Sequence, residues 1–305
     1  MTQPTAPAFH GIIPPVVTPL VDPDHLDVAG LERLIEHLLN GGVHGLFMLG
    51  TTGEAPSFTP RLQREVIEHS CRIVNGRVPV LCGISNTSLT ASMEMAQVAA
   101  GAGCAAVVSA APYYMPLDQA ELVGYFRQLA ARVSLPLVLY NFPLLTKVKF
   151  EPVSVAKLLD EQNIVGIKDS SGDLDYFAQI VQVAKQRPGF SLLAGKEANL
   201  GDIIKLGGHG GVTGGANVWP RLLVDLYDAA IAADGSRINS LAPKVLELGK
   251  IYAVAGNRFS AGIAGIKTAL ELQGICSSAL APPIPPVTAE QKSQIKSILD
   301  SLGIL

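Results

Sequence analysis

The chain has 305 residues, of which 48% are apolar and 16% charged, and its formal net charge is −3 at pH 7. This composition supplies a large buried core and differs from that of disordered chains, which are poor in apolar residues. The 23 basic residues are spread along the chain, so no basic stripe is available for nucleic acid or an acidic membrane. We therefore expect a small-molecule partner, with no nucleic acid and no membrane.

Neither a membrane span nor a targeting segment is indicated. Gly, Pro, Asp or Lys interrupts the apolar stretches within about ten residues, whereas a membrane span needs about 20. The N-terminus lacks a basic region followed by an apolar run, so we predict no signal peptide and a cytoplasmic location. The four cysteines are predicted to be free thiols because their spacings match no zinc or redox motif.

Short apolar runs alternate with segments of helical periodicity over the first two thirds of the chain. Helical segments include 28–40, 60–74, 119–132 and 173–186. Strict alternation favours parallel strands joined by right-handed crossovers, and continuously apolar strands are typical of a closed barrel covered by helices. The eight predicted strands are 12–17, 44–49, 78–82, 105–109, 135–140, 164–168, 191–194 and 210–213.

Beyond about residue 220 the strand pattern ends. The sequence predicts an α/β protein with a (β/α)₈ TIM barrel over residues 1–232 and a C-terminal helical region over 233–305. A doubly wound open sheet is the alternative, and it is disfavoured because no G-x-G-x-x-G follows an early strand. The predicted late helices are 221–233, 236–255, 260–273 and 288–302, with a Pro-rich connector at 281–286.

Lys168 ends the predicted strand IVGIK. In TIM barrels the catalytic and binding residues lie at the C-terminal ends of the strands. Strand alternation places Ile164, Gly166 and Lys168 on one face, directed into the barrel mouth. Burial there lowers the pKa of the ammonium and favours the neutral amine, which attacks carbonyl groups to form an imine. A lysine that reaches from a strand end into solvent is the structural alternative.

Two further segments follow predicted strand ends near Lys168. Tyr140 shares a face with Val138 on the preceding strand, and a strand spacing of about 5 Å lets its phenol approach the amine and transfer protons. A buried core tyrosine is the alternative. The GTTGE segment at 50–54 offers hydroxyls and backbone N–H groups to a carboxylate, although it also fits an ordinary loop. The six glycines of 207–217 indicate close backbone approach to a ligand or tight packing, and a phosphate site there is left open.

Together these segments resemble one known set of motifs. The chain resembles the dihydrodipicolinate synthase and N-acetylneuraminate lyase family of pyruvate-dependent class I aldolases, from about residue 8 into the C-terminal helices. The resemblance implies a TIM barrel that assembles as a homotetramer and needs neither a metal nor an organic cofactor. The motifs that carry it are GTTGE at 50–54, PYY at 112–114, YNFP at 140–143, GIKDSSGD at 166–173 and a late GHGG…AN.

The resemblance implies a role for particular residues. Lys168 is implied to form the Schiff base, Tyr140 to act as general acid and base, and Thr51 to relay protons. The other implied positions are Thr52 and Gly50 in the loop that binds the pyruvate carboxylate, Gly195 and Val212 in the lining of the pyruvate pocket, and Tyr114, whose counterpart in the synthases reaches into a neighbouring subunit's site.

One position departs from the synthases. Their motif after the catalytic tyrosine reads roughly YNVPSRT, with an arginine that holds the carboxylate of the aldehyde, whereas this chain reads YNFPLLT and has Leu145 there. Losing a charge-assisted bidentate contact costs on the order of several kcal/mol of binding. The LLT pattern is closer to the lyases and the 2-keto-3-deoxy sugar acid aldolases. The segment 261–267 weakly resembles the 4-hydroxy-2-oxoglutarate aldolases.

The sequence therefore predicts a lyase that cleaves or forms a C–C bond between pyruvate and an aldehyde. Its predicted substrate is a 2-keto-3-deoxy sugar acid or a 4-hydroxy-2-oxo acid. Three alternatives stay open: dihydrodipicolinate synthase despite Leu145, a dehydratase of a deoxy-keto sugar acid, and a barrel that binds pyruvate without turnover. The sequence does not specify the aldehyde or the physiological direction.

Overall fold

Eight parallel strands form the centre of the fold in the computed structural model, which describes residues 8–305. All eight predicted strands are present, and an antiparallel pair, β2 (Leu20–Asp22) and β3 (His25–Leu26), lies outside the sheet. The sheet strands are β1 (Gly11–Ile12), β4 (Leu46–Met48), β5 (Val80–Gly83), β6 (Ala106–Ala110), β7 (Leu137–Asn141), β8 (Ile164–Asp169), β9 (Ser191–Ala194) and β10 (Gly210–Gly211).

The sheet closes on itself. Hydrogen-bonded neighbours run from β4 through each successive strand to β10 and then to β1. A parallel bridge between Pro15 and Phe47 joins the segment after β1 to β4. The Phe47 N–H donates to the Pro14 carbonyl at 2.9 Å, and the His44 N–H donates to the Ile12 carbonyl at 2.8 Å. The predicted barrel is thus confirmed, and the open sheet is wrong.

Helices cover the outer face of the barrel. The predictions for 28–40 and 60–74 are confirmed to the residue, because Asp27 and Thr59 accept backbone N–H bonds at the two N-termini and Pro60 occupies a first-turn position. The helices up to the end of the barrel are α1 (Val28–Asn40), α2 (Pro60–Val74), α3 (Leu89–Ala102), α4 (Gln119–Ala130), α5 (Pro143–Thr146), α6 (Pro152–Leu158), α7 (Leu174–Ala184), α8 (Leu200–Leu206) and α9 (Pro220–Ile231).

The chain after α9 is helical. The predicted helix at 236–255 is divided into α10 (Gly235–Gly249) and α11 (Ile251–Val254), where Gly249 weakens helix propensity. Two further helices follow, α12 (Phe259–Leu272) and α13 (Ala289–Leu302). No helix within residues 8–305 has the length and apolar character to cross a membrane. All four cysteines are free thiols, as predicted.

Two layers of apolar side chains lie on opposite faces of the strands. An inner cluster, which includes Val138 and Tyr140, fills the barrel, and a larger outer cluster packs strands against helices. The predicted facing of Ile164 is wrong, because it is fully buried in the outer cluster. The register shifts between the pairs Leu137–Ile164 and Val138–Gly166, so one extra residue on β8 turns Ile164 outward while Lys168 stays inward.

The Asn217 side chain links the turn after β10 to the segment after β1 by hydrogen bonds. Its Oδ1 accepts the Val17 N–H at 3.1 Å, and its Nδ2 donates to the carbonyls of Pro15 and Gly214 at 3.0 and 2.9 Å. The side chain is fully buried. The bonds to Val17 and Pro15 therefore hold the segment after β1 against the turn after β10, at the same end of the barrel as the strand C-termini, and the bond to Gly214 fixes the side chain within that turn.

We predict that Asn217→Ala lowers the free energy of unfolding by about 2–4 kcal/mol, because it leaves buried backbone groups without partners. Chemical denaturation measures the loss. Asn239→Ala, on the exposed face of α10, is the matched control and should change stability by less than about 0.5 kcal/mol. Equal effects of the two substitutions would contradict the role given to Asn217.

Candidate active site

Lys168 is buried at the C-terminal end of β8, with 4% of its surface exposed. Its Nζ lies 4.0 Å from the centroid of the Tyr140 ring and 4.8 Å from that of the Phe47 ring. Within residues 8–305 no carboxylate forms an ion pair with this amine. Burial lowers the pKa of Lys168 to about 7. Near neutral pH a substantial fraction is therefore the nucleophilic free amine.

Tyr140 stands beside Lys168 on the neighbouring strand. The two residues are direct register partners, and both side chains point into the barrel. Burial raises the pKa of Tyr140 to about 12, while contacts with the side chains of Thr51 and Ser170 act in the opposite direction. The phenol is therefore protonated at neutral pH and can donate a proton to a group bound at the amine.

The residues that follow Tyr140 and Lys168 lie on the opposite face of their strands and hold the pair in register. Asn141 Nδ2 donates to Asp169 Oδ1 at 2.7 Å, and Asn141 Oδ1 accepts the Phe150 N–H at 3.0 Å. Burial raises the pKa of Asp169, and the hydrogen bond from Asn141 partly offsets it. In each of the pairs Tyr140–Asn141 and Lys168–Asp169, the first residue points into the barrel. The second points outward and forms the hydrogen bond that joins the two strands.

The loop after β4 presents two backbone donors. Its turn is closed by the Gly53 N–H, which donates to the Gly50 carbonyl at 3.1 Å, and the Thr18 hydroxyl donates to the Gly53 carbonyl at 2.8 Å. Within the part of the chain that the structure describes, the N–H groups of Thr51 and Thr52 make no backbone or side-chain hydrogen bond. Such paired donors suit a carboxylate.

A cavity of about 300 Å³ opens at the mouth of the barrel. Gly50, Thr51 and Tyr140 lie in its wall, and Leu145 lies in the wall on α5. Lys168 lies under the Tyr140 ring rather than in the wall itself. Most of the lining is apolar with a few polar groups, which is typical of sites for small organic molecules.

Two other predicted positions, Gly195 and Val212, directly follow β9 and β10, on the side of β8 away from β7. Val212 is buried in the inner cluster, and the Gly195 N–H donates to the Asp169 carbonyl at 2.7 Å. A Cβ atom at Gly195 would lie 2.2 Å from Ser170 Oγ. Any side chain at position 195 would therefore displace a hydroxyl that contacts Tyr140.

Tyr114, another predicted catalytic residue, does not line the cavity of its own chain. Its surface is 94% exposed, and its backbone is left-handed, with φ at 85°. The preceding residue, Tyr113, lines the cavity instead. A left-handed backbone is unfavourable for a bulky residue.

Sequence reasoning missed Phe47 and Ser170. Ser170 directly follows the KD pair, so its place at a strand end was a readable signal. Phe47 faces inward from β4, and its distance of 4.8 Å from the Lys168 amine arises from closure of the barrel. No local pattern in the sequence reports a contact across a barrel.

Comparison with known proteins gives consistent matches over nearly the whole chain. The model of the Dihydrodipicolinate synthetase family matches residues 8–302. A probable 2-dehydro-3-deoxy-D-pentonate aldolase, YjhH of Escherichia coli K12, is 35% identical over 300 residues, covering 97% of this chain and 98% of that protein.

Two solved structures have the same fold. The dihydrodipicolinate synthase of Bacteroides thetaiotaomicron superimposes with a TM-score of 0.92 at 44% identity, covering 96% of this chain and 98% of that one. YagE of E. coli K12, a prophage protein of the dihydrodipicolinic acid synthase family solved in complex with pyruvate, has a TM-score of 0.92 at 32% identity, covering 97% and 99%.

We predict that the Lys168 amine titrates with a midpoint near the pKa of about 7 set by its burial. Competitive acetylation with isotope-coded acetic anhydride, read by peptide mass spectrometry across pH, measures this midpoint. The exposed Lys296 serves as the internal control for the reactivity of the reagent. A Lys168 midpoint near the ordinary lysine value of about 10.4 would contradict the desolvated site.

Proposed function

Because the chain belongs to the dihydrodipicolinate synthetase family, whose members are class I pyruvate-dependent aldolases and synthases, we propose that Lys168 forms the imine in its reaction. The reaction joins or separates pyruvate and an aldehyde at a C–C bond. The observation that carries the proposal is the buried Lys168 amine, 4.0 Å from the Tyr140 ring centroid and with a pKa of about 7. The site offers an amine of which a substantial fraction is free at neutral pH and a protonated phenol beside it.

Imine formation uses these two groups in sequence. The neutral amine of Lys168 attacks C2 of the 2-oxo acid, and the carbinolamine loses its hydroxyl as water after Tyr140 donates a proton to it. Thr51 relays protons to and from the phenol. The pyruvate carboxylate is held by the N–H groups of Thr51 and Thr52, with Gly50 shaping the loop, while Gly195 and Val212 bound the pocket on its far side.

Bond cleavage follows from the protonated imine. The Tyr140 phenolate takes the proton from the C4 hydroxyl, the C3–C4 bond breaks, and its electron pair moves into the imine to give an enamine. The aldehyde leaves, the enamine is protonated at C3, and water hydrolyses the imine to release pyruvate and free Lys168. Addition of the enamine to an aldehyde is the same sequence in reverse.

The aldehyde is proposed to be an uncharged fragment of a 2-keto-3-deoxy sugar acid or of a 4-hydroxy-2-oxo acid. Leu145 lines the cavity and is 40% exposed, so an apolar side chain meets the incoming aldehyde where the synthases place an arginine. The name of YjhH, a probable 2-dehydro-3-deoxy-D-pentonate aldolase, agrees with this substrate class.

A second subunit is proposed to complete the site. Tyr114 is 94% exposed, so its side chain is available for contact with another chain. We propose a homotetramer in which Tyr114 enters the neighbouring subunit's site and contributes to proton transfer there.

Dihydrodipicolinate synthase is the second candidate function. The 44% identity to the B. thetaiotaomicron synthase favours it, whereas Leu145 opposes it because leucine offers no charge to a carboxylate. The retro-aldol reaction tests the aldolase against its alternatives. The substrates are 2-keto-3-deoxy acids of increasing chain length, and released pyruvate is followed with lactate dehydrogenase. Release of pyruvate supports the aldolase, whereas a dehydratase of such acids, the other alternative, releases none.

We predict that sodium borohydride with pyruvate converts Lys168 into a stable secondary amine. Peptide mass spectrometry locates the adduct. Lys168→Met removes it, and Lys296→Arg, which changes an exposed lysine on α13 away from the cavity, retains it. Modification of other lysines in the folded protein, with Lys168 unmodified, would overturn the proposed function.

We predict that Leu145→Arg raises kcat/KM for condensation of pyruvate with succinic semialdehyde by about tenfold or more, because a bidentate ion pair then binds the aldehyde's carboxylate. Activity with glyceraldehyde should fall. Leu145→Met is the matched control, since it keeps the apolar character. A wild-type enzyme that already prefers succinic semialdehyde, with no gain from arginine, would contradict the role given to Leu145.

A further inference from the structure

A buried ion pair joins the loop at 50–54 to the C-terminal helices. Lys267 Nζ on α12 lies 2.6 Å from Glu54 Oε1, and neither side chain has any exposed surface. The other carboxylate oxygen, Oε2, accepts the Ala281 N–H at 2.8 Å. Both oxygens of this barrel-loop carboxylate are therefore bound by residues that follow the barrel in sequence.

The loop conformation depends on how Glu54 is held. Glu54 has a left-handed backbone with φ at 61°, which is unfavourable for a residue other than glycine and persists only where neighbours fix it. Its N–H donates to the Thr51 carbonyl at 3.1 Å and closes the turn that carries Thr51 and Thr52. Anchoring the Glu54 carboxylate thus sets the orientation of the two threonines.

Burying an ion pair at this position costs desolvation free energy. Desolvation opposes burying both charges, and apolar side chains of similar volume often serve stability equally well or better. Burial lowers the pKa of Lys267, and the adjacent Glu54 carboxylate offsets part of this effect. What an apolar replacement cannot supply is the direction of the bonds from Glu54 to Lys267 and Ala281.

We propose that Glu54 and Lys267 are positioning residues for the imine chemistry, which hold the Thr51 hydroxyl toward Tyr140 and the N–H groups of the loop toward the carboxylate. The inference rests on the proposed function, because it assigns the pair its effect through Thr51. The C-terminal helices are then part of the catalytic apparatus, although Lys267 itself does not line the cavity.

The test uses the double substitution Glu54→Gln/Lys267→Met, which removes both charges together and keeps an acceptor for the Ala281 N–H. The matched control is Glu271→Gln/Lys292→Met, since this ion pair at 2.5 Å joins α12 to α13 away from the cavity. Each double substitution is also made in a Thr51→Val background. The readouts are the maximal rate and half-saturating concentration of pyruvate in reductive trapping, the melting temperature, and amide exchange of residues 50–54.

We predict that Glu54→Gln/Lys267→Met lowers the maximal trapping rate roughly tenfold but less than about threefold when Thr51 is already valine, because residues that act through one another are not additive. The half-saturating pyruvate concentration should rise by a smaller factor than the rate falls, and amide exchange of the loop should increase. The control pair should change none of these. Rates are compared well below each melting temperature, so that only folded protein is measured.

An equal loss of rate in both backgrounds, or no loss with unchanged loop exchange, would overturn the inference and leave the pair a structural one. If the wild-type protein traps no pyruvate, the proposed function is wrong. Amide exchange of the loop then decides whether the pair orients the loop. The pair keeps that role if Glu54→Gln/Lys267→Met raises the exchange and the control does not. The pair has no such role if the exchange is unchanged.

Discussion

The burial of the Lys168 amine away from water is the constraint on which the site depends. A closed barrel places the amine among aromatic rings, and the pKa falls from 10.5 to about 7. The folded chain then binds fewer protons than the unfolded chain between those two pH values, so stability falls as the pH drops through this range and levels off below 7. At pH 7 the penalty is on the order of 4 kcal/mol. The fold tolerates it because both apolar layers are extensive, and the gain is a nucleophile at neutral pH.

The helices beyond the barrel hold the mouth in shape at two places. On one side Lys267 binds Glu54 in the loop after β4. On the other side the Tyr252 hydroxyl donates to Glu197 Oε1 at 2.5 Å, and Glu197 Oε2 accepts the Gly215 N–H at 2.9 Å. Both carboxylates are buried, and each connects a barrel loop to a later element. These contacts fix the positions of the loops at the mouth, as the alignment of the proposed proton relay requires.

Local signals in the sequence were sufficient for the eight barrel strands, for the predicted helices other than the divided segment 236–255, and for the place of Lys168 at a strand end. Asp27 and Thr59 mark helix starts because capping is a contact between neighbours in sequence, and Lys168 is readable because strand ends face the mouth. The facing of Ile164 was mispredicted because a bulge shifts the period of two that the pattern assumes. Phe47 and the Glu54–Lys267 pair were missed because they join residues distant in sequence. The proposed place of Tyr114 in another subunit involves a contact outside the chain.

The most direct test of the account is a crystal structure of the protein soaked with pyruvate. It should show continuous electron density from Lys168 Nζ to C2 of the ligand, with the carboxylate on the N–H groups of Thr51 and Thr52 and the Tyr140 hydroxyl beside the new bond. Pyruvate bound elsewhere, or bound in the cavity without a bond to Lys168, would contradict the central claim that this buried amine forms the imine.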